Sequence, residues 1–137
     1  MDLFRVFDIA GSGMSAQSVR LNATASNLAN INSVSGDPEQ VYRARHPMFE
    51  TIMQGFGTDA SAGVRVLGVV EDSTEPAPVY EPGHPEASEA GYIYRGNVDL
   101  ASEMTNMISA SRAYQNNVEI LNTSKDLMLR TLSLGSQ

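Results

Sequence analysis

Residues 97–133, NVDLASEMTNMISASRAYQNNVEILNTSKDLMLRTLS, decide the fold class of this chain. Leu100, Met104, Met107, Tyr114, Val118, Leu121, Met128 and Leu132 fall on alternating spacings of three and four, with Ser111 and Lys125 interrupting. That spacing predicts an apolar seam along one side of a helix. Asp99 and Glu103 sit near its start, and Lys125 and Arg130 near its end, an order that suits the helix dipole. Gly135 supplies a stop. A continuous helix over this stretch is roughly 55 Å long.

The other end of the chain has the same pattern. Leu3, Phe7, Ala10, Met14, Leu21, Leu28 and Ile31 alternate by three and four, with Gln17 and Thr24 in the gaps. Phe7, Met14, Leu21 and Leu28 are spaced by seven, so a helix over residues 1–32 carries a heptad seam. Between the two lies a segment of different character. Ser33 to Pro38 is a cluster of helix breakers. Val41 to Arg45 reads as extended, because Pro47 disfavours helix at His46. Val64 to Val70 is rich in β-branched residues and reads as a strand, with Gly68 marking a bulge. Glu75 to Glu89 holds four of the six prolines and reads as a loop or hairpin tip. Tyr92 to Tyr94 reads as a short strand.

The fold expected is mainly α with a small β insertion, its long N- and C-terminal helices forming an antiparallel coiled-coil-like pair. The three parts are residues 1–32, 33–96 and 97–137. On pattern alone, an ordinary α+β domain whose terminal helices cover a sheet fits as well.

Neither helix is dressed for water. The first carries Gly11 and Gly13 in its interior, each costing about 1 kcal/mol relative to Ala. After Asp2, Arg5 and Asp8 its only charge is Arg20. Away from the seam both helices hold short neutral residues, among them Ser15, Ser18, Asn22, Ser102, Thr105, Ser109 and Asn116. A solvated helix normally has a charged outer face. Helices of this kind are expected to be marginal alone and to become ordered on packing with other copies.

Composition narrows the function. The chain has 137 residues, 9 basic against 16 acidic, for a net charge of −7. That balance argues against nucleic acid and against an anionic membrane surface as partners. No apolar run approaches the roughly 18 residues that span a bilayer, so direct membrane insertion is not expected. The absence of cysteine removes disulfides, thiolate metal sites and Cys nucleophiles. The N-terminus lacks a basic segment followed by an apolar run, so it does not read as a secretory signal.

Candidate chemistry is sparse. His46 and His84, each followed by Pro, show no metal-ligand spacing. Gly11-Ser12-Gly13 lacks the rest of a phosphate loop. Asn22-Ala23-Thr24 and Asn122-Thr123-Ser124 match the glycosylation triplet but fall inside predicted helices. No nucleophile–base pair stands out. No catalytic residue, cofactor or metal is therefore assigned. The residues singled out are the two seams, with Tyr114 as an anchor of the helix pair. Arg112, Asn27 and Asn30 are candidate contacts to a neighbouring subunit.

Three blocks of this sequence resemble the flagellar axial proteins of rod and hook. The first is Ser12 to Gln17, Arg20-Leu21-Asn22 and Ser26 to Ser33. The second is Gly63 to Val66, Val70-Glu71-Asp72, Val79 to Ala87 and Gly91-Tyr92. The third is Asn97 to Leu100, Glu103-Met104, Asn106 to Gln115, Asn117 to Glu119 and Lys125. The second and third point to a proximal-rod member, although Gly96 stands where such proteins often have Pro. The resemblance implies a structural subunit of the basal-body rod in the periplasm. Its partners would be other copies of itself, proximal and distal rod subunits, and the inner-membrane ring adaptor. It implies passage through the flagellar type III export apparatus without a cleaved signal, and a rod that carries torque to the hook. A soluble coiled-coil adaptor or export chaperone is the alternative; it would remain in the cytoplasm, whereas a rod subunit would co-purify with basal bodies.

Overall fold

The computed structural model describes residues 3–54 and 61–135; of Leu3, Gln54 and Ser61 only the backbone is described. Helix α1 spans Leu3–Ala29. Five strands follow: β1 (Val34–Ser35), β2 (Arg45–Gln54), β3 (Ser61–Glu71), β4 (Ala77–Tyr80) and β5 (Tyr92–Arg95). Helix α2 spans Leu100–Gly135. At 1.5 Å per residue, α1 is about 40 Å long and α2 about 54 Å.

Each helix end has a local cause. At the end of α1, the Asn30 side-chain amide donates to the Ser26 carbonyl and the backbone turns through Asn30 and Ser33. The helix therefore stops before residue 32. At the start of α2, the Asp99 carboxylate accepts from the backbone N–H and the hydroxyl of Ser102, at 3.0 and 2.6 Å. That is an N-cap three residues ahead of its donor, and it places the start at Leu100 and not at Asn97.

The β part is larger than a small insertion, and it forms two separate sheets. β1, β5 and β4 make an antiparallel sheet in that order. β2 and β3 make a long antiparallel ribbon. The expected strand over Val64–Val70 is the middle of β3. Residues 41–44 lie outside any strand, and the ribbon begins at Arg45. The alternation of β2 is broken by Pro47 and Glu50, which hid it; Pro47 is tolerated because β2 is an edge. Opposite Met48 and Phe49 the register skips Leu67, the bulge expected near Gly68. Gly68 has φ 156°.

The layers run α2, α1, ribbon. α1 packs against α2, β2 and β3, while α2 packs against α1 and no other described element. The two helices are antiparallel, because Gly13 meets Asn117 whereas Arg20, further along α1, reaches Asn106. Among the described residues no large core forms; the buried aliphatic ones are Ala10, Ala16, Ala23, Val41, Ala44, Ile93 and Ala110, five of them alanines. The chain exposes 9310 Å². A compact protein of this mass exposes about 6,900 Å², so roughly a third more surface faces outward here.

Candidate assembly surface

The contact between the helices is built on small residues. In α2 the row that meets α1 is Glu103, Met107, Ala110, Tyr114, Asn117, Leu121, Ser124 and Met128, alternating by four and three. Glu103, Ala110 and Ser124 are buried, and the other five are half-buried. Met107, Tyr114, Leu121 and Met128 are residues of the expected seam. Its other half is displaced by one position. Met104 is 51% exposed, whereas its neighbour Glu103 is 4%. Leu100 and Leu132 are also exposed, and Val118 is half-buried on the flank. A seam read from apolar residues alone picks Met104 and Val118. The close approach of α1 instead selects Ala110, Asn117 and Ser124, spaced by seven, because small side chains let two axes come near.

On α1, Phe7, Met14, Leu21 and Leu28 are half-buried, while Ala10, Ala16 and Ala23 are buried; Ile31, expected on the same seam, lies half-buried in the turn beyond the helix end. The side chain of Leu3 lies outside the described residues. A Cβ on Gly13 would stand 3.0 Å from the Asn117 amide. Gly13 thus permits close helix contact, while Gly11, with nothing within 4 Å, does not serve that end. Arg20 donates to Asn106 Oδ1 at 2.8 Å across the same interface.

Asn27 does not lie on an outer surface. It is 1% exposed. Its Nδ2 donates to the Arg45 carbonyl, and its Oδ1 accepts from the Arg45 N–H and the Tyr42 hydroxyl. Its polar atoms are used inside the chain, which removes it as a contact to a neighbour. Asn30 is half-buried and donates within α1. Arg112 is exposed. Sequence reasoning missed two further anchors. Asn97 Oδ1 accepts from Ala44 N–H at 2.7 Å, and its amide donates to the Thr74 carbonyl. Ser12 accepts from the Val64 N–H at 3.1 Å and donates to the Ile9 carbonyl, fastening β3 to α1. Ser12 sits inside a predicted helix and Asn97 at the start of another, and neither position marks its role in the sequence.

The histidines act locally. His84 Nδ1 accepts from the Glu86 N–H in its turn, and His46 lies 3.6 Å from Asp72. Hydrogen bonds from Thr74, more than His46, hold the Asp72 carboxyl below its ordinary range. Among the described residues no group of His, Asp and Glu converges as a metal site, and no helix is long and apolar enough to cross a membrane.

What stands out is exposed apolar surface. Phe4, Met53, Leu67, Tyr80, Leu100, Met104, Ile108, Leu127, Leu129, Leu132 and Leu134 are all more than half or about half exposed. The chain is similar to proteins of known role. The flagellar basal-body rod protein FlgC of Yersinia enterocolitica is 50% identical over 135 residues, covering 98% of this chain and 99% of that one. This chain belongs to the FlgC family of flagellar basal-body rod proteins. FlgC of Salmonella typhimurium is 50% identical over the same span, and FlgC of Buchnera aphidicola from Schizaphis graminum is 39% identical over 137 residues. The family model described as flagella basal body rod protein matches residues 7–36, which include most of α1. The one described as flagellar basal body rod FlgEFG protein C-terminal matches residues 89–134, which include nearly all of α2. FlgC proteins are structural components of the basal-body rod and not enzymes.

Proposed function

We propose that this chain is laid down in the proximal rod, where its outward apolar surface is buried against sister molecules and other rod subunits. The observation that carries this reading is the pairing of FlgC family membership with a folded chain that lacks a large core. A monomer whose buried apolar residues are mostly alanine gains most of its hydrophobic stabilisation only when neighbours cover Leu100, Met104, Ile108 and the leucines of the α2 end. In this reading α1 and α2 form a coiled-coil-like pair in each subunit, and the row from Glu103 to Met128 is its seam. Tyr114 anchors the pair, and Arg112 reaches a carboxylate on a neighbour. Delivery is by the flagellar type III apparatus into the periplasm, and an assembled rod passes motor torque to the hook. The ring adaptor at the inner membrane and the distal rod subunits are its neighbours in the stack.

The test is biochemical and genetic. A tagged copy should co-purify with detergent-extracted basal bodies, and deletion should abolish hook and filament. Retention of the tagged chain in the cytoplasmic fraction, with a normal hook in the deletion strain, would overturn the reading in favour of an adaptor.

A further inference from the structure

The seam between the two helices does not fix how far along each other they lie. From Met107 to Met128 the row of α2 that meets α1 repeats every seven residues. Met107, Tyr114, Leu121 and Met128 are its large members, and Ala110, Asn117 and Ser124 its small ones. On α1 the same interval separates Phe7, Met14, Leu21 and Leu28, and also the buried Ala16 and Ala23. A slide of seven residues, about 10 Å, sets large residues against large and small against small again. Apolar repeats of this kind leave the register open unless a polar or steric contact closes it.

Two contacts within the interface depend on the register, and both are soft. A Cβ on Gly13 would stand 3.0 Å from Asn117, but the group it meets is the tip of a side chain. After a slide, Val6 or Arg20 stands in the place of Gly13, and the Asn117 amide must swing away. Arg20 donates to Asn106 at 2.8 Å, but a slide one way brings it to Asp99, another acceptor.

Firmer contacts lie outside the seam, where α1 stops and α2 starts. Residues 42–45 form a bracket there. On one side the Tyr42 hydroxyl lies 3.0 Å from Ser26 Oγ and donates to Asn27 Oδ1. Asn27 in turn pairs with the N–H and the carbonyl of Arg45. On the other side the Ala44 N–H donates to Asn97 Oδ1 at 2.7 Å, two residues ahead of the Asp99 cap. The Tyr42 carbonyl oxygen lies so near Gly96 that a Cβ there would stand 2.7 Å away. That contact is backbone against backbone and cannot swing aside. Ala44 is 3% exposed within the bracket. A slide of either helix by seven residues pulls one side of the bracket off.

We infer that the bracket of residues 42–45 chooses the register in which α1 and α2 pair, and that the apolar seam only holds them together. Asn27, Tyr42 and Asn97 are its positioning residues. The register matters because the ribbon is fastened to α1: a slipped subunit carries β2 and β3 about 10 Å out of place along α2. The inference concerns the single chain, and it goes beyond the rod reading without depending on it.

The test places nitroxide spin labels on the purified full chain, at Ser18→Cys and Asp126→Cys. Both positions are exposed, and the natural chain has no cysteine. Dipolar electron-spin spectroscopy of the labelled chain should give one distance. With Asn27→Ala and Asn97→Ala added, a second distance should appear, displaced by up to about 10 Å. A contact that merely stabilises the fold gives no second distance when it is removed; it only lowers the helix signal in circular dichroism. With Gly13→Ala and Arg20→Gln added instead, the single distance should stay. A bracket variant without a second distance, whether folded or not, would overturn the inference. So would slippage in the Gly13 and Arg20 variant, or several distances in the chain that carries only the labels.

Discussion

Asn27 does with one side chain what a neighbouring strand does with its backbone. It donates to the Arg45 carbonyl at 3.0 Å and accepts from the Arg45 N–H at 2.8 Å, so the first residue of β2 is paired by an amide from a helix. The Tyr42 hydroxyl adds a third bond at 2.8 Å. Replacing Asn27 with Ala leaves the Arg45 peptide groups without these partners and should cost about 2–4 kcal/mol. Urea denaturation of the purified subunit measures this, and a loss below about 0.5 kcal/mol would contradict the role. Two glycines give opposite expectations. A Cβ on Gly96 would stand 2.7 Å from the Tyr42 carbonyl oxygen, which is backbone and cannot swing aside. Gly96→Ala should therefore destabilise by about 1–3 kcal/mol. Gly11 has open space around its Cβ position, so Gly11→Ala should stabilise by up to about 1 kcal/mol through helix propensity. Melting temperatures of the two variants should move in opposite directions.

At the scale of elements, the start of α2 is sensitive to acid. Hydrogen bonds from the Ser102 hydroxyl and N–H hold the Asp99 carboxyl below its ordinary range. A carboxyl lowered in the folded state stabilises that state above its unfolded pKa of about 3.9. The contribution fades as pH falls below that value and through the folded pKa. Helix content of the first turns should drop below about pH 4 in the natural chain, and Asp99→Ala should remove that step. Amide exchange at Ser102 and Glu103 across a pH series reads it directly. The seam of α2 is a second test. Ala110 is 0% exposed, so Ala110→Leu should overpack the helix contact by about 1–3 kcal/mol. Met104→Leu should leave the monomer's denaturation unchanged.

The same elements show what the sequence could and could not convey. Both helices were legible, because a three–four apolar spacing over thirty residues has no other regular solution. Half of the α2 seam was legible as well, in Met107, Tyr114, Leu121 and Met128. The other half was not. Periodicity of apolar residues marks every surface that wants burial, and here Met104 and Leu100 want burial outside the chain. β3 was visible through Val64, Val66, Val69 and Val70. β2 was hidden by Pro47 and Glu50, β1 is too short to leave a pattern, and β4, no shorter than the β5 that was read, was masked by Pro76, Pro78 and Pro82. Asn27 and Asn97 gave no warning of their roles, since what each bonds to lies tens of residues away or across a turn.

At the scale of the molecule, the described chain is a stack of three layers with α1 in the middle and an outward surface about a third larger than its mass predicts. The α2 end should exchange its amides rapidly in dilute monomer and become protected in basal bodies, because in the monomer nothing described stands beside it. Equal protection in the two states would count against burial by neighbours. The layering also fixes how strain crosses the subunit. α2 and the ribbon share no contact, so a twist applied to one arrives at the other through α1 and through the Asn97–Ala44 bond that joins their starting ends. The Asn27 clamp near the end of that helix and the Ser12–Val64 link nearer its middle then share the load in shear. Hydrogen bonds sharing a shear load resist far better than ones peeled apart singly, which makes the central helix a stiff coupling between the two faces.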